Sequence, residues 1–189
     1  MALLVLGPHL GASSSDLDPL SRLRAKIAVE PVAKVAPAQL AGHYTSTSEE
    51  QQRLFGGALS GNYLYLFPDE TYIYCEWADI EPLTIYDKGR WAYDGAFLQL
   101  RSSPEITWDP KLQRKYLLLH RASRSHEMLL IGTERDLSYF EENAGDDPDS
   151  MLLILAKIRD KKIRQAESAR LKAKLMREAW RPQYFHTAH

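Results

Sequence analysis

The groups in this chain with the means to do chemistry are six histidines, a run of carboxylates and a concentration of tyrosine and tryptophan. His120 and His126 lie on either side of one hairpin loop, where they would approach each other. A histidine pair, or a histidine beside a carboxylate, is the minimum for general acid–base hydrolysis. The others, His9, His43, His186 and His189, are scattered, and none has metal-ligand spacing. Surface histidines are therefore the simpler reading, and no metal is expected. Asp69, Glu70, Glu76, Asp79, Glu81 and Asp87 crowd the middle of the chain. Two of them flanking a cleft would do acid–base work, whereas solvated turn and edge residues explain them more simply. Ser123, Ser125 and His126 read as a polar loop. There is no Gly-rich phosphate loop and no G-x-S-x-G elbow. No catalytic residue and no cofactor is assigned on this basis.

The aromatic residues are harder to set aside. Leu64–Tyr74 reads LYLFPDETYIY, a hairpin with aromatic or aliphatic side chains on both faces. One face must be core, and the other needs cover too. A helix of the same chain is the first expectation for that cover. A ligand cup or partner surface is the second, with Tyr63, Tyr65, Tyr72, Tyr74, Trp77 and Trp91 as its lining.

Turn chemistry sets how these residues are presented. Pro68 suits position i+1 of a type I turn followed by Asp69. A bulged three-residue loop, Pro68-Asp69-Glu70, pairs Phe67 with Thr71 and puts Leu64, Leu66, Tyr72 and Tyr74 on one face. It also places Glu70 at a left-handed position that usually takes glycine. A two-residue Asp69-Glu70 turn would regroup the faces. Further on, DKGRWAYDGAFLQL carries Asp94-Gly95, which suits a two-residue turn pairing Tyr93 with Ala96 and Trp91 with Leu98. Trp91, Tyr93, Leu98 and Leu100 then share the core face. Lys115–Arg121 and Glu127–Gly132 read as a third hairpin with the loop Ala122–His126. Cys75, the single cysteine, excludes an internal disulfide and reads as an inert buried thiol.

The chain's 189 residues suffice for one well-cored domain with extensions. Charge is unevenly placed. Of 24 Lys and Arg and 25 Asp and Glu, residues 151–189 hold 10 and 3, leaving 14 and 22 for residues 1–150. Residues 1–15, apolar and then small and polar, resemble the end of a signal peptide, which implies export to a compartment such as the periplasm. A loosely packed cytoplasmic N-terminus is the alternative. Residues 16–40 read as a short helix over Leu17–Ile27 and a Pro-containing linker over Glu30–Ala38. Residues 41–142 form the antiparallel β domain, with a short helix at Glu134–Glu142. Residues 143–189 hold an acidic connector, Asn143–Ser150, and one long helix over Met151–Trp180. Its apolar stripe is expected at Leu155, Ile158, Ala166, Ala169, Ala173, Met176 and Trp180. Lys161, Arg164, Arg170, Lys174 and Arg177 surround that stripe and are the candidates for docking an anionic surface. No apolar run is long enough for a membrane-spanning helix.

Gly42-His43-Tyr44, the LYLFPDETYIY hairpin, Gly89-Arg90-Trp91 and the Asp94-Gly95 stretch resemble small bacterial lipocalin-like β-barrel proteins over residues 41–148. Glu70 stands where their D-G-T-Y motif has glycine, and the basic C-terminal segment is an addition. The resemblance implies a fold that is mainly β with a long C-terminal helix, its antiparallel meander forming a lipocalin-like barrel or half-barrel. It also implies binding of a small apolar ligand or a protein partner. The functional expectation is a non-enzymatic, exported binding or interaction module. A hydrolase with carboxylates or His120 and His126 at the barrel mouth is one alternative. An adaptor docking an anionic partner through the basic helix is another.

Overall fold

The computed structural model describes residues 21, 29–32, 35–46, 60–105, 114–121, 124–134, 155–158 and 163–179. Nine strands and two helices follow one another: β1 (Val29–Pro31), α1 (Pro37–Leu40), β2 (Gly42–Thr45), β3 (Ser60–Leu66), β4 (Thr71–Ala78), β5 (Glu81–Tyr93), β6 (Phe97–Ser102), β7 (Lys115–Arg121), β8 (Arg124–Gly132), β9 (Leu155–Lys157) and α2 (Gln165–Glu178). All pairings are antiparallel. β2 to β9 form a closed ring of eight strands, in which β9 joins β8 back to β2. β1 pairs with β7 beyond the stretch that β6 occupies. This is the closed, lipocalin-like form of the expected barrel.

The first hairpin follows its turn chemistry. Phe67 N–H donates to the Thr71 carbonyl (2.9 Å), and Glu70 holds φ at 60°. Leu64 pairs with Tyr74 and Leu66 with Tyr72, and all four enter the barrel core. The second hairpin shifts its register by two residues from the expectation. Asp94 Oδ1 accepts the N–H groups of Ala96 (2.9 Å) and Phe97 (2.7 Å), and Gly95 takes φ +97°. The turn therefore centres on Gly95-Ala96, and Tyr93 pairs with Leu98 and Trp91 with Leu100. A shift of two preserves alternation, so the core face remains as expected.

Alternation divides the strands into two cores. Inside the ring lie Tyr44, Leu64, Tyr72, Tyr74, Trp91, Tyr116 and their aliphatic neighbours, with Leu40 of α1 packed among them. Outside it, Tyr65, Phe67, Ile73, Cys75 and Ile85 pack against Ile163, Leu175 and Ala179. The second face of the aromatic hairpin is thus covered by a helix of the same chain.

Four further expectations need correction. The long helix over Met151–Trp180 is instead a strand followed by a shorter helix. β2 and β8 each present unpaired backbone groups at the gap, and Leu155–Lys157 satisfies both edges at once. In α2, Ser168, Leu175 and the following Ala179 are buried, whereas Ala166, Ala169 and Ala173 face solvent, so the alanine stripe is the outer face. The linker over Glu30–Ala38 contains β1 and α1; Pro37 opens α1, and Gln39 Oε1 accepts the Ala36 N–H (3.2 Å). β8 begins at Arg124, so the third hairpin loop is shorter than Ala122–His126. The expected helix over Leu17–Ile27, other than Ser21, and the N-terminal fifteen residues lie outside the described residues. So do Lys161, the acidic connector and the expected helix after Glu134.

Candidate functional site

The six aromatic residues expected to line one concavity fall on opposite sides of the barrel wall. Tyr72, Tyr74 and Trp91 point inward and are 1%, 5% and 3% exposed. Trp91 Nε1 donates to the Phe67 carbonyl at 3.0 Å. Tyr63, Tyr65 and Trp77 lie on the outer side. There His43 stacks on Tyr65 (centroids 4.3 Å) and meets Tyr63 edge-on (4.8 Å). Among the described residues, no single concavity joins the two sets. His120 lies on β7 against β1, paired with Glu30. Among the described residues, no group of His, Cys, Asp and Glu is placed to hold a metal ion.

One carboxylate stands apart from the rest. β5 is longer than sequence reading suggests, and a bulge at Tyr86 separates the Tyr74–Asp87 pair from the Cys75–Ile85 pair. The extra residue lets Ile85 face outward while Asp87 faces inward. Asp87 is 0% exposed. Its Oδ1 accepts the Lys88 N–H at 2.8 Å. Its Oδ2 accepts the Tyr72 hydroxyl and Arg114 Nη1, each at 2.8 Å. Ser102 Oγ lies 2.8 Å from both oxygens. Gly89 makes this convergence feasible, because a Cβ there would sit 2.0 Å from the Arg101 carbonyl oxygen and push β6 away. Burial, then the Asp87 charge, raises the Tyr72 hydroxyl far above the ordinary tyrosine range, so it remains a donor. Both Asp87 oxygens are occupied, which leaves no lone pair directed at a substrate proton. Sequence reading left Asp87 among solvated turn and edge residues, and the bulge that lies beneath it carries no sequence signal.

Comparison of the chain with known protein families, curated proteins and solved structures finds no match.

α2 supplies the other candidate surface. Its inner side is fixed by Leu175 and by Lys172, which pairs with Asp69 and sets its Nζ 4.7 Å from the Phe67 ring centroid. Partial burial works to raise the Asp69 carboxyl. Hydrogen bonds from Lys172 and Thr71, with the Lys172 charge, outweigh it and hold the group below the usual carboxylate range. The outer side of α2 borders a groove of about 440 Å³ whose described lining is Arg170, Ala173, Lys174, Arg177 and Glu178. Glu178 pairs with Arg177 (3.0 Å) and Lys174 (3.7 Å). Three of the five expected docking cations thus line one groove. Arg164 is exposed at the N-cap of the same helix. Among the described residues, no helix is long and apolar enough to cross a membrane.

Proposed function

We propose that this protein is a non-catalytic interaction module, in which the barrel is a scaffold and the outer face of α2 meets an acidic segment of a partner protein. The observation that carries this reading is the groove along α2, where Arg170, Lys174 and Arg177 face one carboxylate, Glu178. Ala173 in its lining is exposed, as are Ala166 and Ala169 earlier on the helix, and such small side chains allow a partner backbone to approach closely. A membrane surface fits less well, because among the described residues this face carries no bulky apolar anchor. The barrel interior is a weaker candidate for an apolar ligand, since the expected inner lining residues are packed into the core. Kinship with bacterial lipocalin-like proteins and an exported location belong to the same proposal. They are supported by the hairpin motifs and by the apolar opening of the chain.

The test is binding of a fluorescent oligoglutamate peptide, beside anionic vesicles and a single-stranded oligonucleotide, at low and physiological ionic strength. The expected result is salt-sensitive peptide binding. Replacing Arg170, Lys174 and Arg177 together by alanine should abolish it without changing the melting temperature. Preferential binding of vesicles or nucleic acid would reassign the partner, and binding that survives the triple substitution would remove α2 from the interface.

A further inference from the structure

We infer that the buried Asp87–Arg114 pair builds a second site, independent of α2, at which the outer edge of the Arg114 guanidinium binds a monoanionic carboxylate. Arg114 lies where β7 begins, beside the end of β6, and its side chain is 37% exposed although its Asp87 partner is 0% exposed. The cluster therefore reaches from the barrel interior to solvent through one side chain. Arg114 Nη1 is committed to Asp87 Oδ2 at 2.8 Å and to Ser102 Oγ at 2.5 Å. Among the described residues, Nη2 and Nε of Arg114 have no partner. These two nitrogens carry parallel N–H donors in one plane, the geometry that takes both oxygens of a carboxylate.

The inner contacts pre-organise this edge. Asp87 is itself fixed by Tyr72, Ser102 and the Lys88 N–H, so Arg114 loses little freedom when it binds. Charge decides the class of ligand. Asp87 already neutralises one unit beside Arg114, so the pair is neutral as a whole. A dianion such as phosphate would add a second negative charge beside Asp87, whereas a single carboxylate requires only the fork.

The test is a titration of the full chain with acetate, using phosphate and chloride at matched ionic strength as comparison anions. The readout is the ¹H–¹⁵N correlation of the arginine Nε–H groups. Acetate should produce a saturable shift of the Arg114 signal that phosphate and chloride do not reproduce. Arg114→Lys keeps a cation against Asp87 but lacks the fork, and should weaken acetate binding at least tenfold as followed by calorimetry. If that variant does not fold, the wild-type Nε–H titration still decides the matter. Equal shifts with all three anions, no saturation, or undiminished binding by a folded Arg114→Lys protein would each overturn the assignment.

Discussion

Leu175→Ala should undock α2 locally, and Cys75 beneath it provides the means to detect this. Leu175 is 6% exposed and packs in the outer core with Cys75, Ile73 and Ile85. Replacing a buried leucine with alanine costs about 2–5 kcal/mol, and the lower end applies where neighbours can collapse, as under a surface helix. A loss of about 2 kcal/mol multiplies the undocked population by about 30. Cys75 is fully buried, and burial pushes its thiol up to about 12. At pH 8 the docked state then holds about one part in ten thousand as reactive thiolate, whereas an exposed cysteine titrates near ~8.5. Labelling by a disulfide reagent under native conditions should therefore proceed through the undocked form. Its rate should rise about 30-fold in Leu175→Ala, while global unfolding followed by tryptophan fluorescence changes less. Arg170→Ala, on the outer face, should label at the wild-type rate. An unchanged rate in Leu175→Ala, or an equal rise in Arg170→Ala, would refute the packing described for α2.

The remaining predictions address the barrel and the helix anchor. Trp91→Ala should cost about 3–5 kcal/mol in denaturant melts, whereas Arg90→Ala should cost under about 1 kcal/mol, because Arg90 meets Glu70 only as an exposed pair at 3.3 Å. Glu70→Gly should stabilise the protein by about 0.5–1 kcal/mol, because it relieves a left-handed residue (φ 60°) at the expense of that surface pair; a lower melting temperature would contradict the turn geometry. Acid should loosen the α2 anchor: Asp69 titrates lower in the folded protein than in the unfolded chain, so its contribution is complete above the usual carboxylate value and is lost as pH falls through the folded one. Asp69→Asn should flatten the pH dependence of the melting temperature as pH falls below the usual carboxylate value, near ~3.9.

What was legible in the sequence was local. Pro68-Asp69-Glu70 specified its bulged turn because proline fixes one dihedral and the next two residues complete the loop, so the inward set Leu64, Leu66, Tyr72 and Tyr74 followed directly. Asp94 was legible as a turn residue, but its side-chain acceptance of two N–H groups moved the turn by one position along the chain. β9 was hidden for a different reason. Leu155–Lys157 is a three-residue strand in a helix-compatible run, and only the two open edges of β2 and β8 make it extended. The same limit applies to function. Tyr63 and Tyr72 were readable as aromatic residues needing cover, yet whether the cover is helix, ligand or core depends on contacts distant in sequence. The Asp87–Arg114 pair spans 27 positions, and its inward aim depends on a bulge that no turn residue announces.

The position of β9 has a consequence for how the chain reaches its native state. Thr45 and Ala156, which pair across the seam, are 111 positions apart. Until Leu155–Lys157 has emerged from the ribosome, β2 and β8 remain bare edges on a curved sheet that cannot shut. Such long-range closure makes folding slow and leaves those edges open to pairing with other chains. A nascent or prematurely terminated chain ending before residue 155 would thus carry nearly all the hairpins of the barrel and two adhesive seams. Aggregation of such fragments should begin at β2 and β8, and a short peptide spanning Leu155–Lys157 supplied in trans is the simplest agent to suppress it.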